Sequence, residues 1–226
     1  MLNFALVDGS AHGSALRTRQ KSYQQDQVVS TFNFVLSLTI LLLLIPLLVI
    51  VATAIYLQDG GPVLFSQERV GRRGRTFRCL KFRTMTVNAE SRLERLLATD
   101  PRARAEWAKD QKLRQDPRIT RLGAILRKSS LDELPQLVNV LRGEMSLVGP
   151  RPIVQAEVCR YGRRIAYYQA VKPGITGLWQ VSGRNDIDYR RRVAMDCLYV
   201  RKKSLAYDGW LLVRTIPAVL IRRGCY

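Results

Sequence analysis

The chain has 226 residues, 47% of them hydrophobic and 24% charged, and its 37 Lys+Arg outweigh 18 Asp+Glu to give a formal charge of +19. That hydrophobic share excludes a disordered tail protein and suffices for a buried core in one domain of ordinary size. The single histidine, His12, lies in a polar N-terminal stretch, which excludes His-based triads, paired-histidine zinc sites and haem ligation within a core.

Catalysis must then rest on carboxylates, amines, hydroxyls or thiols. Cys79, Cys159, Cys197 and Cys225 form no C-x-x-C pair and are expected as free thiols in a reducing compartment. The positive excess calls for an anionic partner: nucleic acid, an anionic lipid surface or phosphorylated substrates. Its basic residues are spread along the chain, with no aromatic-interleaved cluster and no reading helix, so no nucleic acid is expected.

Residues 1–26 form a polar, basic tail, and from Gln27 to Gln58 not one side chain is charged. The apolar region of a signal peptide runs to roughly 7–15 residues, so this longer segment predicts membrane insertion. Pro46 at its midpoint removes a backbone hydrogen bond and predicts a kink. Arg17, Arg19 and Lys21 precede the segment and Arg69, Arg72, Arg73, Arg75 and Arg78 follow it, so both flanks favour the cytoplasm. A straight helix over 27–58 would be about 48 Å long, more than the ~30 Å of hydrocarbon, and a re-entrant helical hairpin is preferred to a tilted crossing.

Residues 59–226 read as a globular domain. Val63 to Val70 and Thr76 to Met85 predict a β-hairpin about the turn Gly71–Gly74. Polar helices follow over Ala89–Leu97 and Pro101–Leu113, with Pro101 suited to a first turn. Leu131, Leu134, Leu137, Val138 and Leu141 then keep helical spacing up to Gly143. Ser130 and Glu133 have the spacing of a capping box, and Asp132, Gln136 and Asn139 share the polar face. Pro135 fixes Asp132 and Glu133 in the first turn, where the helix dipole and Arg127 and Lys128 favour ionised carboxylates. A charged cap has this spacing, and so does a nucleophilic Asp beside a metal-binding Glu.

Further on, Gly149-Pro-Arg-Pro152 locks Arg151 between two prolines, which suits phosphate binding or a stiff surface turn. Lys172 to Arg184 is a second glycine-rich loop with basic ends, and Lys81-Phe-Arg-Thr84 lies on the return strand. Neither a P-loop nor a Rossmann fingerprint is present. From Asp208 onward, Trp210 at one end and Arg222 and Arg223 at the other predict an amphipathic helix in the lipid interface, or a plain core helix.

Taken in order, six segments resemble the monotopic phosphoglycosyl transferases, bacterial polyprenyl-phosphate sugar-1-phosphate transferases that begin exopolysaccharide and related glycan assembly. They are Lys81–Met85, Arg127, Ser130–Gln136, Gly143–Pro152, Lys172–Gln180 and Ser182–Asn185, and the likeness runs over 28–226. It implies an α+β, mostly helical fold: a re-entrant membrane hairpin plus a cytoplasmic catalytic domain with a small β-hairpin and interfacial amphipathic helices. It further implies a ping-pong reaction in which Asp132 attacks a UDP-sugar, releases UMP and passes the phosphosugar to undecaprenyl phosphate, with Glu133 binding Mg²⁺. Arg151 corresponds to the family's phosphate-binding arginine, Arg127 to one bridging the active-site region and the membrane helix, and Lys81, Arg83 and Arg184 are assigned to substrate binding. The short form is most similar to members using UDP-galactose or UDP-glucose at the bacterial inner membrane, with the catalytic domain on the cytoplasmic face. One departure stands out: the family's Ser-Pro pair at the membrane break is Ile45-Pro46 here.

Overall fold

The computed structural model describes residues 9–110, 113, 115–183 and 187–220. Helix α1 runs from Gly9 to Asp59, so the expected tail is helical from Gly9 onward, and the chain stays helical through Pro46. Among the described residues α1 is the one helix long and apolar enough to cross a membrane, and only 11% of its most apolar stretch is buried inside the protein. That low figure separates it from the core helix of a soluble domain.

The exposed apolar face of α1 includes Leu42, Leu43, Val49, Ile50 and Leu57, while its other face packs on the domain. Val51 and Ile55 are buried with Phe82 and Leu126. Farther toward the N-terminus, the buried Asn33 donates to the Val29 carbonyl (2.8 Å) and its Oδ1 accepts from the Leu147 N–H (3.0 Å). Charged residues at both ends of the apolar stretch meet the same domain, Asp26 pairing with Arg72 (2.9 Å) and Lys203 (3.8 Å), and Asp59 with Arg83.

Strands β1 (Leu64–Val70) and β2 (Thr76–Phe82) pair antiparallel, with Phe65 opposite Lys81 and Glu68 opposite Arg78. Arg73 and Gly74 supply the positive φ of the turn. The return strand is shorter than its sequence suggested: it stops at Phe82, and Met85 only forms an isolated bridge to Ile119. Helices α2 (Ala89–Thr99) and α3 (Pro101–Asp110) follow.

Helix α4 (Arg121–Ser129), not anticipated from the sequence, is capped by Thr120, whose side chain accepts from the Gly123 N–H (2.9 Å). The residue capping its C-terminus, Ser130, takes a left-handed conformation (φ 58°), and a short 3-10 turn, Leu131–Glu133, leads through Pro135 into α5 (Gln136–Leu141). The capping box expected of Ser130 and Glu133 is therefore not formed. Ser130 serves α4 by donating its own N–H to the Arg127 carbonyl, and the Glu133 carboxylate is drawn to cations elsewhere.

Two three-residue strands, β3 (Ser146–Val148) and β4 (Gly174–Thr176), pair in parallel. Between them lie α6 (Val158–Tyr161) and α7 (Ile165–Ala170); α8 (Leu178–Ser182), α9 (Tyr189–Lys202) and α10 (Leu205–Leu220) complete the domain. Leu147, Val148, Leu178, Tyr199 and Leu211 belong to the central core beneath β2 and α5. Helix α10 buries Leu211 fully and leaves Trp210, Val213 and Ile216 exposed. Arg222 and Arg223 lie outside the described residues.

Candidate active site

Two segments remote in sequence converge on Glu133. Lys81 reaches it from β2, with Nζ 2.6 Å from Oε1, and Arg151 from the loop after β3, with Nη1 3.6 Å from the same oxygen. Asn139 holds this arrangement in register: its fully buried side chain accepts from the Leu80 N–H (3.0 Å) and donates to the Arg78 carbonyl (2.8 Å) and to Glu144 (2.6 Å). So Asn139, placed by its sequence on the polar face with Asp132, joins α5 to the strand that carries Lys81.

The Arg151 loop is built by close backbone approach. The Gly149 N–H donates to the Thr176 carbonyl (2.9 Å) and the Gly174 N–H to the Pro150 carbonyl (2.8 Å). A Cβ on Gly174 would lie 2.1 Å from the Gly149 nitrogen, and one on Gly177 would lie 2.4 Å from the Gly149 oxygen. The glycines of the Lys172–Gln180 segment thus serve packing against the Pro150-Arg-Pro152 turn, with both Pro150 and Pro173 fully buried.

Lys81, Glu133, Gln136 and Arg151 line one cleft together with Arg69, Cys79, Pro152 and Ile175. Asp132 is 9% exposed beside it. Burial, then the neighbouring Glu133 charge, pushes the Asp132 carboxyl up to about 6, against the pull of Lys81, Arg127 and Arg151. Glu133 moves the other way. Burial would raise it, but Lys81 and Arg151 together hold it below the usual carboxylate range. The environments push the two adjacent acids apart, the pattern that marks groups with different chemical duties. Cys79 is also in the cleft, but burial pushes its thiol up and keeps it protonated, which makes it a poor nucleophile.

Of the residues expected from the sequence, the fold brings Asp132, Glu133, Lys81 and Arg151 together. Arg127 lies beside them, its Nε donating to Thr84 Oγ1 (2.9 Å) and its charge acting on Asp132. Arg83 is turned away to Asp59 at the end of α1. Arg184 lies outside the described residues. Arg69, missed as a site residue, stood in the sequence among five arginines that read as membrane-flanking charge.

Among the described residues no three His, Cys, Asp or Glu side chains gather into a cage for a metal ion. The cleft offers the Glu133 carboxylate, a donor that fits Mg²⁺, which takes one or two carboxylates and completes its shell with water and substrate phosphates.

The family profile described as "Bacterial sugar transferase" matches residues 24–222. Over 196 residues the chain is 57% identical to the UDP-galactose-lipid carrier transferase of Erwinia amylovora and 53% identical to the undecaprenyl-phosphate galactose phosphotransferase of Salmonella typhimurium. Each match covers 87% of this chain but 41% of the relative, so the chain spans about two fifths of their length. It is 46% identical to the exopolysaccharide production protein ExoY of Sinorhizobium fredii, with 87% of both proteins covered. A profile that takes in the membrane helix, the carboxylate pair and the Arg151 loop together leaves one assignment: the chain belongs to the bacterial sugar transferase family.

Proposed function

We propose that the protein transfers a sugar 1-phosphate from a UDP-sugar to undecaprenyl phosphate through a covalent intermediate on Asp132, and so initiates exopolysaccharide assembly. An Asp132 oxygen attacks the β-phosphorus, the bond to the bridging oxygen breaks, and UMP leaves with the electron pair. An oxygen of undecaprenyl phosphate then attacks the same phosphorus and expels the carboxylate. The donor is UDP-galactose or UDP-glucose; galactose stands in the names of two of the relatives above 50% identity.

The observation that carries this reading is the split between the two acids. An Asp132 raised to about 6 is ionised at neutral pH yet keeps more basicity than a surface aspartate, as a nucleophile requires. Lys81 and Arg151 both address Glu133 through Oε1, and Oε2 is the atom we assign to Mg²⁺. When bound, the ion would offset the pyrophosphate charge during transfer. Arg151, held stiffly by its prolines, binds the phosphate under attack, and Lys81 stabilises the charge beside it.

The membrane arrangement we infer is re-entrant, at the bacterial inner membrane, with the catalytic domain on the cytoplasmic face. It is supported by Asp26 and Asp59, which bracket the apolar stretch and both pair with this one domain. An acceptor whose tail stays in lipid presents its phosphate at headgroup level, the level at which such an anchor holds Asp132.

Asp132→Asn in detergent or nanodiscs is expected to abolish UMP release from UDP-sugar. Mass spectrometry of wild-type protein given donor without acceptor is expected to find a phosphosugar on the Asp132 peptide. Turnover by the variant, or an adduct on another peptide, would overturn the mechanism.

A further inference from the structure

We propose that Arg69 is a second phosphate-binding residue of the cleft, which takes the nucleotide-side phosphate of a nucleoside diphosphate sugar while Arg151 takes the phosphate under attack. The choice of ligand class rests on the function proposed above.

Arg69 lies on β1, with a side chain only 16% exposed, and lines the cleft with Lys81, Glu133 and Arg151. Its Nη1 donates to the Pro152 carbonyl (3.1 Å) and its Nη2 to Gln67 Oε1 (2.5 Å). Both acceptors are neutral. The nearest carboxylate oxygen, Glu157 Oε2, is 3.9 Å from Nη1, beyond hydrogen-bonding distance. A guanidinium has five N–H donors in a planar fork, so two neutral bonds fix its position and leave capacity for a phosphate. Two arginines facing one cleft repel each other; burial and the Arg151 charge both disfavour the charged form of Arg69. An anion shared between them removes that cost.

The order of the cations sets which phosphate each receives. Arg151 contacts Glu133 directly, whereas Arg69 makes no contact with it. Arg151 therefore takes the phosphate next to the Asp132–Glu133 pair, and the second phosphate falls to Arg69 on the same cleft.

The test is equilibrium binding of UMP and of uridine to the full chain in nanodiscs, for wild type, Arg69→Gln and Arg69→Lys, each checked by thermal melting. UMP affinity is expected to fall about tenfold or more in Arg69→Gln and by less in Arg69→Lys, with uridine affinity unchanged. Arg69→Lys keeps a donor for Pro152 and decides the matter if Arg69→Gln does not fold. Unchanged UMP affinity in a folded variant overturns the assignment, as does an equal loss for uridine, which would make Arg69 only a brace for the loop. Failure of the wild type to bind UMP, with no adduct on Asp132, sinks the underlying function as well. UMP bound equally by wild type and variants, with the adduct present, sinks this inference alone.

Discussion

Burial makes Asp132, the proposed reactive group, a weak point of the fold. Its carboxyl rises from 3.8 to about 6 in the folded chain, so between those values the folded state binds more protons than the unfolded one. Stability from this group is therefore lost as pH rises through that window. With Mg²⁺ chelated, Asp132→Asn is expected to stabilise the protein by about 2–3 kcal/mol near pH 8, the gain shrinking to nothing near pH 4, as read by melting across pH. Turnover is expected to run the opposite way, falling on the acid side of the wild-type pH–rate profile, because in the proposed mechanism a protonated Asp132 cannot attack. Asp132, Glu133 and Arg151 were legible in the sequence because local punctuation, Pro135 and the Pro150–Pro152 bracket, fixes their backbone. Arg83 lies outside that group for a physical reason. Lys81 and Arg83 would share one face of a continuing strand, but β2 stops at Phe82 and the alternation stops with it.

At the scale of elements, glycine does two different jobs. Gly174→Ala would drive a methyl group to 2.1 Å from the Gly149 nitrogen, and neither backbone can yield without parting β3 from β4. A loss of about 3 kcal/mol or more is expected, seen as a large drop in melting temperature and in activity together. Gly209→Ala, inside α10 with nothing within 4 Å of the new Cβ, is expected to stabilise by ~0.5–1 kcal/mol in the same assay. The sequence marked the Lys172–Gln180 stretch as a basic glycine-rich loop, yet strands of three residues are too short to show a period, and their pairing partner lies far along the chain. Capping-box spacing at Ser130 misled because its left-handed backbone ends α4, and its side chain makes no cap bond to the 3-10 turn that it also opens.

For the whole molecule, the course of the chain through lipid is open to a direct check. Cysteines introduced at Ser10 and Gln58, on a background without the native cysteines, are expected to react with an impermeant thiol reagent from the same side of sealed vesicles. Labelling from opposite sides would require a crossing. The apolar segment itself was plain in the sequence, because an uncharged run of that length outlasts both a signal peptide and a buried core helix. Its seating was not, since the decisive residue is one uncharged amide within it. Asn33 accepts from the Leu147 N–H, and residues 147–150, which lead from there to Arg151, are all buried, so the anchor and the Arg151 loop are joined by a rigid link. Thinning or thickening the bilayer would then strain the loop as well as the anchor, and acyl-chain length becomes a variable of catalysis and not merely of solubility.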